Sequence, residues 1–132
     1  MATESLDTWL AWLEGLHPRE IELGLGRITE VADRLGLRAG PAPVITVAGT
    51  NGKGSTVACL EAIYRAAGHR PGVYTSPHLL RFNERIRMDG APAEDAAILD
   101  AFRAIDAARG GITLTYFEFA TLAAAWCFRD AG

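Results

Sequence analysis

The chain has a single lysine, Lys53, only two cysteines, and no apolar run near the roughly 18 residues of a membrane-spanning helix. Each scarcity excludes something. Cys59 and Cys127 lie far apart, form no C-x-x-C pair and each fall in an apolar helical pattern, so they read as reduced core thiols. Residues 1–10 lack a basic stretch followed by an apolar one, so a cytoplasmic protein with no membrane partner is expected. With a formal charge of -3 and no basic stripe, the sequence carries no electrostatic footprint for nucleic acid. Internal repeats and low-complexity segments are absent too, and no residue stands out as a general base or covalent nucleophile.

What is present is ordinary for a globular protein. The 132 residues, 49% hydrophobic and 22% charged, suffice for one domain with a sizeable core. Leu6, Trp9, Leu10 and Leu13 fall at helical spacing, with Gly15 as the stop. A second helix is expected from Ile21 or Glu22 to Leu35, ended by Gly36. Val44 to Ala48 has the near-continuous apolar content of a parallel strand covered on both faces. Thr56 to Ala67 would be the crossover helix, stopped by Gly68, and Pro71 to Thr75 a second strand, giving a right-handed strand-helix-strand unit. Glu84 to Met88 extends into an Asp89-Gly90 turn. Helices follow over Ala93 to Ala108, with Ile98, Leu99, Phe102 and Ile105 on one face, and over Phe117 to Arg129. The expected fold is α/β, half of an open sheet with ligands at the strands' C-terminal ends.

The chemistry concentrates at Gly49-Thr50-Asn51-Gly52-Lys53-Gly54-Ser55, where an apolar strand runs into a glycine-rich turn and then a helix. Glycines let backbone N–H groups approach an anion, and those groups point outward from a helix start. Lys53 adds a full positive charge for the outer phosphates, and Ser55 a hydroxyl near a metal. The bland alternative for Thr50 and Asn51 is turn formation. The loop departs from G-x-x-x-x-G-K-[ST] at two places: Val47 stands where the first glycine belongs, and Gly54 separates Lys53 from Ser55. A plain kinase or GTPase loop is therefore disfavoured.

Gly-Thr-Asn-Gly-Lys-Gly-Ser resembles the variant loop of the Mur ligase superfamily, and more narrowly that of folylpolyglutamate synthase and dihydrofolate synthase. Further segments extend the resemblance in the family's order, from about Leu6 to the end. They are Leu16-His17-Pro18, Ile21-Glu22-Leu23-Gly24-Leu25-Gly26-Arg27, Tyr74-Thr75-Ser76-Pro77-His78-Leu79, Arg81-Phe82-Asn83-Glu84-Arg85-Ile86 and Leu114-Thr115-Tyr116-Phe117-Glu118-Phe119. The resemblance implies a P-loop NTPase-like, three-layer open parallel sheet, of which residues 1–132 are the N-terminal part of a Mur-type ATP-binding domain.

It also implies roles for residues. Thr50, Asn51, Gly52, Lys53, Gly54 and Ser55 would hold ATP, Lys53 would serve catalysis, and Ser76 would ligate magnesium, a hard cation suited to oxygen donors. His78 reads as a loop-ordering residue, since imidazole is a poor partner for magnesium. Gly15, Leu16, His17 and Pro18, with Thr115, Tyr116, Phe117 and Glu118, would line the pteroate pocket. An aromatic ring there can stack on a flat pterin and a carboxylate can accept from its N–H groups. For Phe117 plain core packing is the competing reading, for His17 a capping role in a turn. Glu118 needs a partner, because an isolated carboxylate at an apolar helix start is costly. Arg81, Glu84 and Arg85 stay divided between loop ion pairs and substrate contact.

The implied reaction is ATP-dependent joining of L-glutamate to dihydropteroate or a folate through an acyl phosphate, in a monomeric cytoplasmic ligase. Family members continue into a further magnesium-ligating glutamate and a glutamate-binding C-terminal domain, so the chain is expected not to complete the ligation alone. A non-catalytic ATP-binding fragment and another Mur-type amide ligase are the alternatives.

Overall fold

The computed structural model describes residues 5–16, 24–37, 43–49 and 51–131. The single domain expected from composition is built as two compact units, one of residues Met1–Gly40 with Asp95–Gly132, the other Pro41–Glu94. No helix among the described residues is long and apolar enough to cross a membrane.

The first unit is helical. It comprises α1 (Leu6–Leu16), α2 (Gly26–Leu35), α4 (Asp95–Arg109) and α5 (Tyr116–Ala131), with α3 falling between them in sequence. Helix α1 runs through Gly15, one turn position further than a glycine stop predicts, and α2 begins at Gly26 after a bend at residues 24–25. Residues 21–23, expected to start α2, lie outside the described residues. Gly36 ends α2 as expected: it takes φ +71, and the Leu37 and Gly36 N–H groups donate to Ala32 and Asp33 carbonyls, a Schellman-type closure.

The periodicity of α4 is borne out. Of the predicted face Ile98, Phe102 and Ile105 are buried and Leu99 is half-buried; Trp9 and Leu13 of α1, Val31 of α2, and Phe119, Ala120 and Ala123 of α5 join them. Trp9, Phe102 and Phe119 form a chain of rings with centroids 5.9 and 5.5 Å apart. Such offset and edge contacts add about 0.5–1.5 kcal/mol per pair to the burial of the rings themselves. Arg34 caps α4 by donating to the Ala108 and Arg109 carbonyls at 3.0 and 3.2 Å.

The second unit holds α3 (Lys53–Ala66) and a sheet of β1 (Gly72–Tyr74), β2 (Ile86–Met88) and β3 (Ala91–Pro92) in that spatial order. Both pairings are antiparallel, with Gly72 opposite Met88 and Met88 opposite Ala91. Among the described residues the sheet is thus antiparallel, and no parallel pairing occurs. The Asp89-Gly90 turn is as read: φ values of +52 and +86 give the type I′ geometry that matches strand twist across a two-residue loop. A short 3-10 turn, Phe82–Arg85, occupies the start of the predicted extended segment.

Residues 43–49 form no strand, and Val44 is 87% exposed. A strand exists only as part of a ladder, and among the described residues none pairs with this segment; β1 pairs with β2. Helix α3 starts three residues before its predicted Thr56 and buries none of its residues. Cys59 is consequently exposed, against the core placement expected for it, whereas Cys127 is buried as predicted.

Candidate functional site

The glycine-rich loop has the backbone that its sequence requires. Gly52 takes φ +77, a conformation L side chains rarely adopt, and α3 begins at the next residue, Lys53. A Cβ at Gly49, where φ is +155, would lie 3.7 Å from Lys53 Cγ, so the lysine stem folds back across this glycine. No side chain caps the start of α3, and the first-turn N–H groups therefore face outward at the positive end of the helix dipole. The Thr56 hydroxyl turns away from that end and donates to the Gly52 carbonyl at 3.0 Å. Asn51, Lys53, Gly54 and Ser55 are exposed, and Thr50 lies outside the described residues.

Helix α3 is tied to the hairpin by ion pairs. Arg87 on β2 donates to the Glu61 carboxylate at 3.0 Å and to the Gly90 carbonyl at 2.7 Å. Arg65 pairs with Asp89 at 3.5 Å.

Ser76 opens the loop that follows β1, and its side chain is exposed. The loop is closed at its stem by the Thr75 N–H donating to the Arg85 carbonyl at 2.9 Å. Glu84 accepts from the backbone N–H groups of Leu79, Leu80 and Arg81 at 2.8, 3.0 and 2.9 Å. These bonds, led by that of Leu79, hold the Glu84 carboxyl below its ordinary pKa against a smaller opposing effect of burial. Arg85 Nε donates to His78 Nδ1 at 2.8 Å, which leaves the neutral ring its hydrogen on Nε2.

The third constellation sits at the start of α5 in the helical unit. The Glu118 N–H donates to the Thr115 hydroxyl at 3.1 Å and the Thr115 N–H donates back to Glu118 Oε1 at 2.9 Å, a capping box. Arg27 of α2 donates to the same Oε1 at 2.7 Å and to the Thr113 carbonyl at 3.0 Å. Glu118 thus has the partner its burial demands. In the sequence Arg27 stands out only as part of a motif; the cost of a lone buried carboxylate is the signal that a cation has to meet it. Phe117 is 52% exposed, which removes core packing as its explanation, and Tyr116 is half-buried. Gly15 and Leu16 form the end of α1, while His17 and Pro18 lie outside the described residues.

Magnesium fits this donor chemistry in a particular way. Among the described residues no three His, Cys, Asp or Glu side chains gather as a metal cage. An exposed serine hydroxyl on a braced loop suits instead a hard cation whose other ligands are phosphate oxygens and water. The outward amides of α3 and the folded-back Lys53 likewise suit a polyphosphate.

No protein-family model matches the chain. Curated relatives do. The chain is 52% identical over 131 residues to the dihydrofolate synthase/folylpolyglutamate synthase of Escherichia coli K12, and 48% identical over 130 residues to that of Haemophilus influenzae. Each match covers 98% of this chain and 31% or 30% of the relative, so the chain spans about a third of their length. Among solved structures, E. coli FolC in complex with DHPP and ADP superposes with a TM-score of 0.93 at 51% identity, over 99% of this chain and 32% of that one. The Yersinia pestis bifunctional enzyme complexed with AMPPNP and Mn ion gives 0.91 at 55%, again over 99% and 32%. The folylpolyglutamate synthetase from Lactobacillus casei gives 0.86 at 34%, over 97% and 34%. The glycine-rich loop, the Ser76 loop and the Thr115–Glu118 helix start therefore occur in a chain that belongs to the dihydrofolate synthase/folylpolyglutamate synthase family.

Proposed function

We propose that this chain is the nucleotide-holding, N-terminal part of an ATP-dependent ligase that joins L-glutamate to dihydropteroate or a folate, with ATP and magnesium as cofactors in the cytoplasm. The observation that carries the reading is the loop from Gly49 to Ser55, with left-handed Gly52, an uncapped helix start and Lys53 folded across Gly49. Its support from outside is the ADP and the AMPPNP with Mn bound by homologous structures at 51% and 55% identity.

Bound ATP with its magnesium would supply the phosphoryl group for the acyl phosphate. The chain's own residues would position it. Thr50, Asn51, Gly52, Gly54 and Ser55 would cradle the phosphates, and Lys53 would offset the negative charge that grows on the transferring group, where electrostatic help is most effective. Ser76 would give the cation an oxygen ligand. Thr115, Tyr116 and the exposed Phe117 would receive the pterin face, with Gly15, Leu16, His17 and Pro18 beside them, while Arg27 would hold the Glu118 carboxylate in place at the edge of that site. In this reading the three-layer parallel sheet is completed by sequence that family members carry, and so is glutamate binding. Residues 1–132 would then contribute the nucleotide-holding part of the site.

Titration calorimetry with AMP-PNP and Mg2+ tests this. The wild-type chain should bind, and Lys53→Ala should weaken binding at least tenfold with an unchanged circular dichroism spectrum. Equal affinity in the two proteins would sink the phosphate-loop assignment.

A further inference from the structure

Arg81, Glu84 and Arg85 stand outside the roles assigned above, yet two of them hold the loop that carries Ser76. We propose that Glu84 is the positioning residue of the metal site, fixing the Ser76 loop through the backbone of residues 79–81, with Arg85 bracing it through His78. The inference rests on the reading of Ser76 as a metal ligand.

The loop from Ser76 to Arg81 contributes little burial of its own: Leu79 and Leu80 are 90% and 89% exposed. Its ring contact is His78 against buried Phe82, with centroids 6.1 Å apart, so apolar packing holds little of it among the described residues. Its foundation lies in the next turn, where Phe82 and Asn83 are buried and Asn83 Nδ2 donates to the Ala93 carbonyl at 2.8 Å. From that anchored turn two consecutive side chains reach back. Glu84 spans the loop's second half with three charge-assisted bonds, using Oε1 for Leu79 and Oε2 for Leu80 and Arg81. Arg85 takes the first half at His78, two residues from Ser76, while its carbonyl closes the stem at Thr75.

A single serine hydroxyl is a weak ligand, and its usefulness depends on where its backbone stands. Groups that orient a ligand without touching the metal typically govern 10–100-fold of metal affinity. Glu84 is poised for this role because both of its carboxylate oxygens already accept from the loop's backbone N–H groups. Gln at this position could keep an oxygen for two N–H groups but would turn an N–H2 toward the third.

The test is Mn2+ uptake followed by electron paramagnetic resonance on the 132-residue chain, with and without AMP-PNP, in wild type, Lys53→Ala, Glu84→Ala and Glu84→Gln. Metal-free AMP-PNP affinity is measured beside it. Glu84→Ala should weaken Mn2+ uptake by the nucleotide-loaded chain about tenfold or more, leave metal-free AMP-PNP affinity within about twofold, and speed hydrogen exchange at the Leu79, Leu80 and Arg81 amides. Glu84→Gln should fall between it and wild type. If Glu84→Ala does not fold, Glu84→Gln decides. A folded variant with exposed amides and wild-type Mn2+ affinity overturns this inference and leaves the nucleotide reading standing. A wild-type chain that takes up no AMP-PNP under any condition overturns the nucleotide reading and this inference with it.

Discussion

The two units of this chain spend their apolar residues differently. In the helical unit Trp9, Leu13, Val31, Ile98, Phe102, Ile105, Leu114 and Phe119 are fully buried; among the described residues of 41–94 the only large side chain so buried is Ile86. Residues 41–94 instead expose Val44, Ile45, Ile63, Leu79 and Leu80, and hold α3 through Glu61–Arg87 and Arg65–Asp89 rather than through a shared core. The helical unit is organised by water exclusion, the other by backbone geometry and charge. Ligand-handling loops belong to the second kind, since phosphate and metal must reach exposed amides and hydroxyls.

Substitutions can break this contrast. The largest effect is expected from Phe102→Ala, which opens the ring chain of Trp9, Phe102 and Phe119 and should cost about 3–5 kcal/mol in urea unfolding. Ile63→Ala, on the exposed face of α3, should cost less than about 0.5 kcal/mol; an equal loss at both sites would erase the distinction. Arg27→Ala leaves Glu118 buried beside the Thr115 amide without its cation and should cost roughly 1–3 kcal/mol.

The thiols sharpen the comparison with the least disturbance. Cys59 is exposed, and burial raises the Cys127 thiol pKa from 9.0 to about 11, assisted by Asp130 and Asp100. Iodoacetamide near pH 8 should label Cys59 and spare Cys127 until the helical unit unfolds, with mass spectrometry reading the sites. A raised folded pKa stabilises below the unfolded value, so the Cys127 contribution should be whole below pH 9.0 and drain away as pH climbs toward about 11. Cys127→Ala should lack that decline.

What was legible in the sequence is what neighbouring residues decide. Gly36 ends α2 and Asp89-Gly90 turns the hairpin because each needs a backbone conformation few other residues tolerate. The stripe of Ile98, Phe102 and Ile105 found its core because helical spacing alone gathers it. The left-handed glycine turn before α3 was readable for the same reason, its glycines being adjacent. The burial of residues 44–48 and of Cys59 was not, because it depends on which distant segment pairs or packs there. The same holds for the direction of the sheet: apolar content marks a strand but not its partner. Arg27 and Glu118, far apart in sequence, became a pair only in three dimensions.

The helical unit is interrupted in sequence: α1 and α2 precede residues 41–94, and α4 and α5 follow them. Its partners are thus made at different moments of synthesis. At roughly 5–20 residues per second, Trp9 and Val31 wait several seconds on the ribosome for Phe102 and Phe119 to emerge. The hairpin from Gly72 to Pro92 closes over a short span and needs no such delay. The order of birth therefore places the charge-organised insert ahead of the core that flanks it, and leaves α1 and α2 as the stretch most in need of shelter during translation.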